Sequence, residues 1–237
     1  TAEYADRNGT EERPIVYSIC EWGRNLPWRW GAAAGNLWRT TPDIQANWKS
    51  VVGTYEINVN LFKYAGKGNW NDPDMLEVGN GDLTFEENRS HFTLWCFMAA
   101  PLILGNDVRE FIREDGTADT ENETLRILTD RDMIAIDQDA LGEQCRRIKT
   151  TLIADTLIKP LENGDVAVCF FNKGSDTRYF EHRMDDIVCR SYVTTPLAQE
   201  YEVYDLWTKE TSVINTTLSA FVEPHGVKAF RIRAISE

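Results

Sequence analysis

Pro14-Ile15-Val16-Tyr17-Ser18-Ile19-Cys20 is a continuous apolar, β-branched run that opens on a proline and stops at Glu21. Apolar residues at consecutive positions suit a strand buried on both faces of a parallel sheet, since a strand with one wet face would alternate. The stretch that follows Asp43 carries Ile44, Trp48, Val51, Val52 and Tyr55 at helical spacing, which predicts a helix with the acid near its start. Thr84-Phe85-Glu86-Glu87 reads as a capping box opening a helix through Phe92, Trp95 and Met98. Pro101-Leu102-Ile103-Leu104-Gly105-Asn106-Asp107 predicts another buried strand ending in polar groups, and Thr124-Leu125-Arg126-Ile127-Leu128 opens a further amphipathic helix. Alternating strands and helices of this kind build right-handed β/α units on a parallel sheet.

After Gly142 the texture changes. Asp165 to Phe171, Tyr201 to Trp207 and Val227 to Arg233 are short strand patterns set apart by turn signals such as Glu162-Asn163-Gly164-Asp165 and Asn172-Lys173-Gly174-Ser175. The sequence therefore predicts two domains: residues 1–142, α/β, and residues 143–237, an antiparallel β-sandwich. Neither holds an internal repeat or a low-complexity tract.

Composition narrows the function classes. Lys and Arg number 25 against 38 Asp and Glu, a net charge of −13, which repels phosphate backbones and anionic lipid and argues against nucleic acid as a partner. No run approaches the ~20 apolar residues of a membrane-spanning helix, and Thr1 to Arg7 has neither the basic nor the apolar region of a secretory leader. Cys20, Cys96, Cys145, Cys169 and Cys189 are an odd, scattered set without a CxxC pair, so neither a zinc site nor a disulfide framework follows. Asn8, Asn88, Asn122 and Asn215 head Asn-x-Ser/Thr triplets, which permit secretion without establishing it. A phosphate-cradling glycine loop and a GxSxG elbow are both missing. Of the histidines His91, His182 and His225, His91 falls on the helix face of Trp95 and Met98, which suits a packed imidazole.

What the chain does carry is acid beside tryptophan at strand ends. Glu21 adjoins Trp22, Asp43 closes Trp38-Arg39-Thr40-Thr41-Pro42-Asp43, and Asp72 and Asp74 lie in Trp70-Asn71-Asp72-Pro73-Asp74-Met75-Leu76. Glycoside hydrolysis needs two carboxyl groups, and flat apolar rings stack on sugars. In a β/α barrel the strand ends and the loops after them form the active site, so Glu21, Asp43, Asp72, Asp74 and Asp107 can converge. Any one of these acids has a plainer role open to it, Asp43 as a helix cap and Asp72 with Asp74 as a proline turn. Three such blocks at successive strand ends favour chemistry on sugars.

At these residues the chain resembles the α-galactosidases of glycoside hydrolase family 27. The likeness runs through Pro14 to Gly23, Gly35 to Ile44, Ala65 to Asn80 and Ala100 to Asp107, in the family's order and spacing. It implies the second half of a (β/α)8 TIM barrel followed by the family's β-sandwich. It also implies that Asp43 is the general acid/base and that Arg39 binds the sugar and orients the catalytic groups. Glu21 with Trp22 would read the sugar's 2-position, favouring galactose over N-acetylgalactosamine, and Asp74 with Met75 would touch the sugar from the next strand. No cofactor is implied.

The implied reaction is a double displacement with retention, in which Asp43 first gives and then takes a proton. An Arg39 directed at Asp43 alone would oppose the first step, so its guanidinium is expected to be shared with the nucleophile or a sugar hydroxyl. The family's nucleophile, an aspartate in a Lys-Tyr-Asp block at the end of the fourth strand, has no counterpart in these 237 residues. The resemblance thus places the chain at strands five to eight, and the expected partner is the other half of the barrel, together with a cysteine there for Cys20. Alone, such a half is expected to expose apolar edges and to lack catalysis. The expected substrate is a galactose-containing saccharide, with a β-L-arabinopyranosidase or a non-catalytic carbohydrate-binding fragment as alternatives. A homo-oligomer is left open, as is the compartment: the family fits secretion or a lysosome- or vacuole-like space, and a bacterial source would fit the cytoplasm.

Overall fold

After a short helix, α1 (Ala2–Asn8), strand β1 (Ser18–Ile19) pairs in parallel with β2 (Leu37–Arg39), and β2 with β3 (Trp70–Asp72). The chain is described by a computed structural model over residues 2–235. Register sets Ile19 beside Trp38 and Arg39 beside Asp72, so the residues following all three strands leave the sheet at one end. Helix α2 (Trp48–Asn58) follows β2 and α3 (Phe85–Phe97) follows β3, with α4 (Glu123–Leu128) and α5 (Arg131–Asp137) behind them. No helix of the described residues is long and apolar enough to cross a membrane.

The capping box of α3 is present in both directions. Glu87 N–H donates to Thr84 Oγ1 at 3.3 Å and Thr84 N–H donates to Glu87 Oε2 at 2.8 Å. Helix α2 starts later than the position of Asp43 predicts: its cap is Asn47, whose Oδ1 accepts from Ser50 N–H at 3.0 Å. The residues after Asp43 are held as a loop: Ile44 N–H donates to the carboxylate of Asp74 at 2.7 Å, and Gln45 N–H, a donor that an Asp43 cap would use, goes to Ser50 Oγ at 2.9 Å.

Two predicted strands are shorter and wetter than their apolar runs suggest. Of Pro14 to Cys20 only Ser18 and Ile19 join the sheet, while Ile15 and Val16 are 71% and 73% exposed. Of Pro101 to Asp107 only Leu104 pairs, through a single parallel bridge to Leu76, and Ile103 and Leu104 are exposed as well. Both runs border the parallel sheet, and among the described residues no strand lies on their outer side. The apolar pattern records burial that these residues do not supply to one another.

From Arg146 onward the chain is antiparallel. Strands β4 (Arg146–Thr150), β5 (Ala154–Pro160) and β6 (Val166–Asn172) lead to β7 (Arg178–Arg183) and a short helix α6 (Met184–Val188). Then come β8 (Tyr201–Asp205), β9 (Thr211–Ile214), β10 (Thr217–Val222) and β11 (Val227–Ala234). One sheet has the order β4-β5-β6-β11-β8-β9, and β7 pairs with β10 in the other. Strand β6 is buried on both faces although antiparallel. Val166, Val168 and Phe170 pack between the two sheets with Phe180, Ile187 and Leu218. Ala167, Cys169 and Phe171 pack toward the helices with Tyr55, Trp95 and Phe97.

That second core joins the parallel and antiparallel halves, and polar bonds fix their relation. Tyr55 Oη donates to Asp155 Oδ2 at 2.9 Å, Lys173 pairs with Asp155 at 3.0 Å and with Glu56 at 2.6 Å, and Arg147 pairs with Glu56. Burial and the neighbouring Asp155 carboxylate push the Tyr55 phenol well above its ordinary value. On the far side of α2, His225 stacks on Trp48 with ring centroids 4.7 Å apart and meets Glu87 Oε1 at 2.7 Å through Nδ1. His91 is fully buried against Trp95, and its Nε2 accepts from Glu77 N–H at 2.9 Å, as a packed imidazole would.

Candidate active site

Strand β2 delivers Arg39 at its last position, and β3 delivers Asp72 directly beside it. The backbone continues to bind past the strand ends: Thr40 N–H donates to Asp72 O at 2.9 Å and Gly23 N–H donates to Arg39 O at 3.1 Å. The loops after β1, β2 and β3 are therefore sewn together just where their acids lie. Gly23 is required at its position, because φ is +72° and a Cβ there would lie 2.2 Å from Thr40 O.

Arg39 is the hub. Its side chain is 11% exposed, and Nη2 reaches Asp74 Oδ2 at 2.7 Å, Asp43 Oδ1 at 3.2 Å and Thr41 O at 3.3 Å. The guanidinium is thus shared between two carboxylates, and the partner nearer to it is Asp74. That Asp74 carboxylate, 8% exposed, also accepts the Ile44 N–H, so it fixes the arginine and the loop carrying Asp43 at once. Its own backbone is held hard: φ is +91°, Trp95 Nε1 donates to its carbonyl at 2.8 Å, and its N–H donates to Asp72 Oδ1 at 2.8 Å. Non-glycine residues reach such a φ only where surroundings impose it. Asp72 closes the turn over Pro73, and burial raises its carboxyl above the usual range against the lowering pull of the Asp74 N–H and Arg39.

Asp43 stands differently from its neighbours. Its side chain is 72% exposed, with Arg39 as its ion-pair partner, so it presents a free oxygen at the carboxyl end of the sheet. Glu21 is half-buried after β1 and accepts from Asn25 Nδ2. Trp22 is exposed at φ +53°, with the Arg24 guanidinium 4.8 Å from its ring centre, and Met75 is exposed in the loop after β3. Cys20 is an exposed free thiol. Asp107 does not join this group: it caps the turn Val108–Phe111 and is bound by Arg109, whose hydrogen bonds lower its carboxyl below the usual range.

Beneath the acids runs a buried polar chain that the sequence does not announce. Trp38 Nε1 donates to Asn71 Oδ1 at 2.9 Å, Asn71 Nδ2 donates to Gln144 Oε1 at 3.0 Å, and Gln144 Nε2 donates to Asn58 O at 2.8 Å. Asn58 Oδ1 accepts from Thr40 Oγ1 at 2.8 Å, closing the chain onto β2. A cavity of about 530 Å³ lined by Leu37, Lys67, Trp70 and Asp137 lies at the opposite, amino end of β2 and β3, away from Asp43.

Comparison with known proteins agrees with this architecture. The family model described as alpha galactosidase A matches residues 4–139, and the model for the alpha galactosidase C-terminal beta sandwich domain matches residues 154–232. Alpha-galactosidase A of Cellvibrio japonicus is 39% identical over 93% of this chain and 56% of its own length. Alpha-galactosidase 2 of Arabidopsis thaliana is 38% identical over 93% of this chain and 52% of its own. The crystal structure of alpha-galactosidase I from Mortierella vinacea superposes with a TM-score of 0.84 at 29% identity, covering 99% of this chain and 62% of that one. The chain spans about half the length of the curated relatives it matches. A partial parallel barrel carrying Arg39, Asp43 and Asp74 at its strand ends, continued by an antiparallel sandwich, belongs to the alpha-galactosidase A family, glycoside hydrolase family 27.

Proposed function

We propose that these residues are the carboxyl-side part of a retaining α-galactosidase that removes terminal α-linked D-galactose from oligosaccharides, polysaccharides or glycoconjugates. The observation that carries the reading is the pair of unlike carboxylates on one guanidinium, Asp74 buried and Asp43 72% exposed. One carboxylate is committed to holding the arginine, and the other is free to meet a substrate oxygen.

In this reading Asp43 protonates the glycosidic oxygen as the C1–O bond breaks, and a nucleophilic carboxylate outside this chain attacks C1 to form a glycosyl ester. Water then attacks C1, Asp43 takes its proton, and the ester bond breaks to release galactose with retained configuration. Asp74 takes the shorter contact of Arg39, so the guanidinium is shared rather than committed to Asp43. Glu21 accepts a hydrogen bond from the sugar's 2-hydroxyl, and Trp22 and Met75 offer it apolar surface.

The outer edge of β1, with Ile15 and Val16 exposed, is where we place the segment that supplies the nucleophile; a pleated edge pairs with another strand. The domain division at residues 142 and 143 is part of the same proposal. Hydrolysis of an aryl α-galactoside by the intact protein, reduced at least about 100-fold in Asp43→Asn, tests the reading, since general acid–base catalysis contributes on this scale. Unchanged turnover in Asp43→Asn would sink the acid/base assignment. Faster hydrolysis of an aryl β-L-arabinopyranoside than of the galactoside would move the substrate to the sugar lacking the 6-hydroxymethyl group.

A further inference from the structure

The sandwich holds a second polar cavity that has no part in the chemistry above. A slot of about 240 Å³ opens between the free edge of β7 and the β4-β5 hairpin, and Lys149, Thr151, Thr156, Arg178 and His182 line it. Strand β7 has β10 on one side only, so its other edge faces this slot. Alternation along β7 sends Arg178, Phe180 and His182 to the inner face, where Phe180 and His182 stack on buried Phe170, and sends Tyr179 and Glu181 outward.

The two cations of the slot are uncommitted. Neither Lys149 nor Arg178 has an ion-pair partner among the described residues, in a chain of net charge −13 whose acids outnumber its bases. Two acids, Asp155 and Glu181, also belong to the lining, and both are engaged: Asp155 is held by Lys173 and Arg147 on the opposite face of β5, and Glu181 accepts from Tyr179 Oη at 2.8 Å. Arg178 Nε is buried without a hydrogen-bond acceptor among the described residues, an expensive state for a guanidinium donor unless something fills it. Thr156 Oγ1 lies 2.9 Å from His182 Nε2 and adds a hydroxyl to the same wall. Cationic donors without a protein acceptor, beside a hydroxyl, make a receptor for a compact, many-oxygened anion.

We propose that this slot binds a tetrahedral oxyanion, phosphate or sulfate, either free or carried on a saccharide. Lys149 and Arg178 supply the charge, Arg178 Nε and Thr156 supply directed donors, and His182 sits in the wall as a reporter. His182 is held below its ordinary value by burial and by Lys149, with Arg190 acting the same way and Asp186 opposing them. An anion in the slot favours the protonated ring.

The test uses the intact protein, with inorganic phosphate, inorganic sulfate and galactose 6-phosphate as probes and sodium chloride at matched ionic strength as the control. Saturable calorimetric binding is expected, together with His182 ring resonances that titrate at higher pH when phosphate is present. Lys149→Ala and Arg178→Lys should each weaken binding about tenfold, the loss of one charge-assisted contact, without changing galactoside turnover. Tighter binding of galactose 6-phosphate than of phosphate assigns the saccharide-borne anion, and equal affinities assign the free one. Absence of saturable binding, or binding untouched in both variants while thermal melting is unaltered, overturns the proposal.

Discussion

Removing the Asp74 carboxylate separates the two jobs that the structure gives it. In Asp74→Ala, Arg39 loses its 2.7 Å partner and Ile44 N–H loses its 2.7 Å acceptor, both in surroundings where the side chains are about one-tenth exposed. Breaking a buried pair by removing one member costs about 3–5 kcal/mol, since the remaining charge is left in a poor dielectric. Asp74→Asn keeps an oxygen for Ile44 and loses only the charge, so its cost is expected at about 1.5–3 kcal/mol, the worth of a hydrogen bond to an ion. In both variants the guanidinium has Asp43 at 3.2 Å as its remaining carboxylate. The arginine is then drawn to Asp43 alone, and on the proposed reading kcat/KM on an aryl α-galactoside falls about tenfold or more, the loss of one charge-assisted positioning contact. Urea unfolding and kcat/KM on an aryl α-galactoside read the two effects separately. Unfolding free energies within about 0.5 kcal/mol of the parent, with an unchanged kcat/KM, would refute the claim that Asp74 positions Arg39.

Elsewhere, Asp155→Ala should destabilise the protein by about 3–5 kcal/mol in urea, because its fully buried carboxylate ties Tyr55, Lys173 and Arg147 across the two halves. His91 is pushed down to about 3 by burial, so the unfolded chain takes up a proton that the folded one refuses. Its contribution is complete above the ordinary histidine value, about 6.5, and is lost as pH falls toward 3; His91→Gln should flatten that part of the stability–pH curve while keeping an acceptor for Glu77 N–H. Gly23→Ala should cost at least about 1–3 kcal/mol from its positive φ alone and should lower turnover more than a surface substitution, since the new Cβ meets Thr40 O; wild-type melting and turnover would show that the loop relaxes freely.

Where the chemistry is local, the sequence is legible. The capping box of Thr84 and Glu87 is written in four consecutive residues and forms as written. Acids after strands β1, β2 and β3 could be placed at one end of a sheet because parallel register lines up the strand ends. The contacts that decide their roles span longer distances. Asp74 reaches Ile44 across 30 residues and is itself gripped by Trp95 across 21, and neither separation leaves a pattern. Asn47, rather than Asp43, caps α2, because Gln45 N–H, a donor that an Asp43 cap would have used, goes to Ser50 Oγ while Asp74 holds Ile44 N–H. Apolar runs misreport exposure at Ile15, Val16, Ile103 and Leu104, because apolarity states what a residue needs and says nothing of which segment provides it.

That last disparity bears on the chemistry. The exposed residues Ile15 and Val16 lead straight into β1, and β1 leads straight into Glu21, so a segment that pairs with this edge brings its own strand end beside Glu21. Neighbouring strands lie ~4.8 Å apart. A carboxylate on that added strand would therefore stand two strand spacings, roughly 10 Å at the backbone, from the end of β2. Two inward-reaching acid side chains, closing around the curve of a barrel, shorten such a gap toward the ~5–5.5 Å that retention requires. Asp43 already has most of its side chain in water. On the proposed reading, then, covering the apolar edge of β1 and completing the catalytic pair are one event: the strand that relieves the exposed isoleucine and valine also carries the nucleophile.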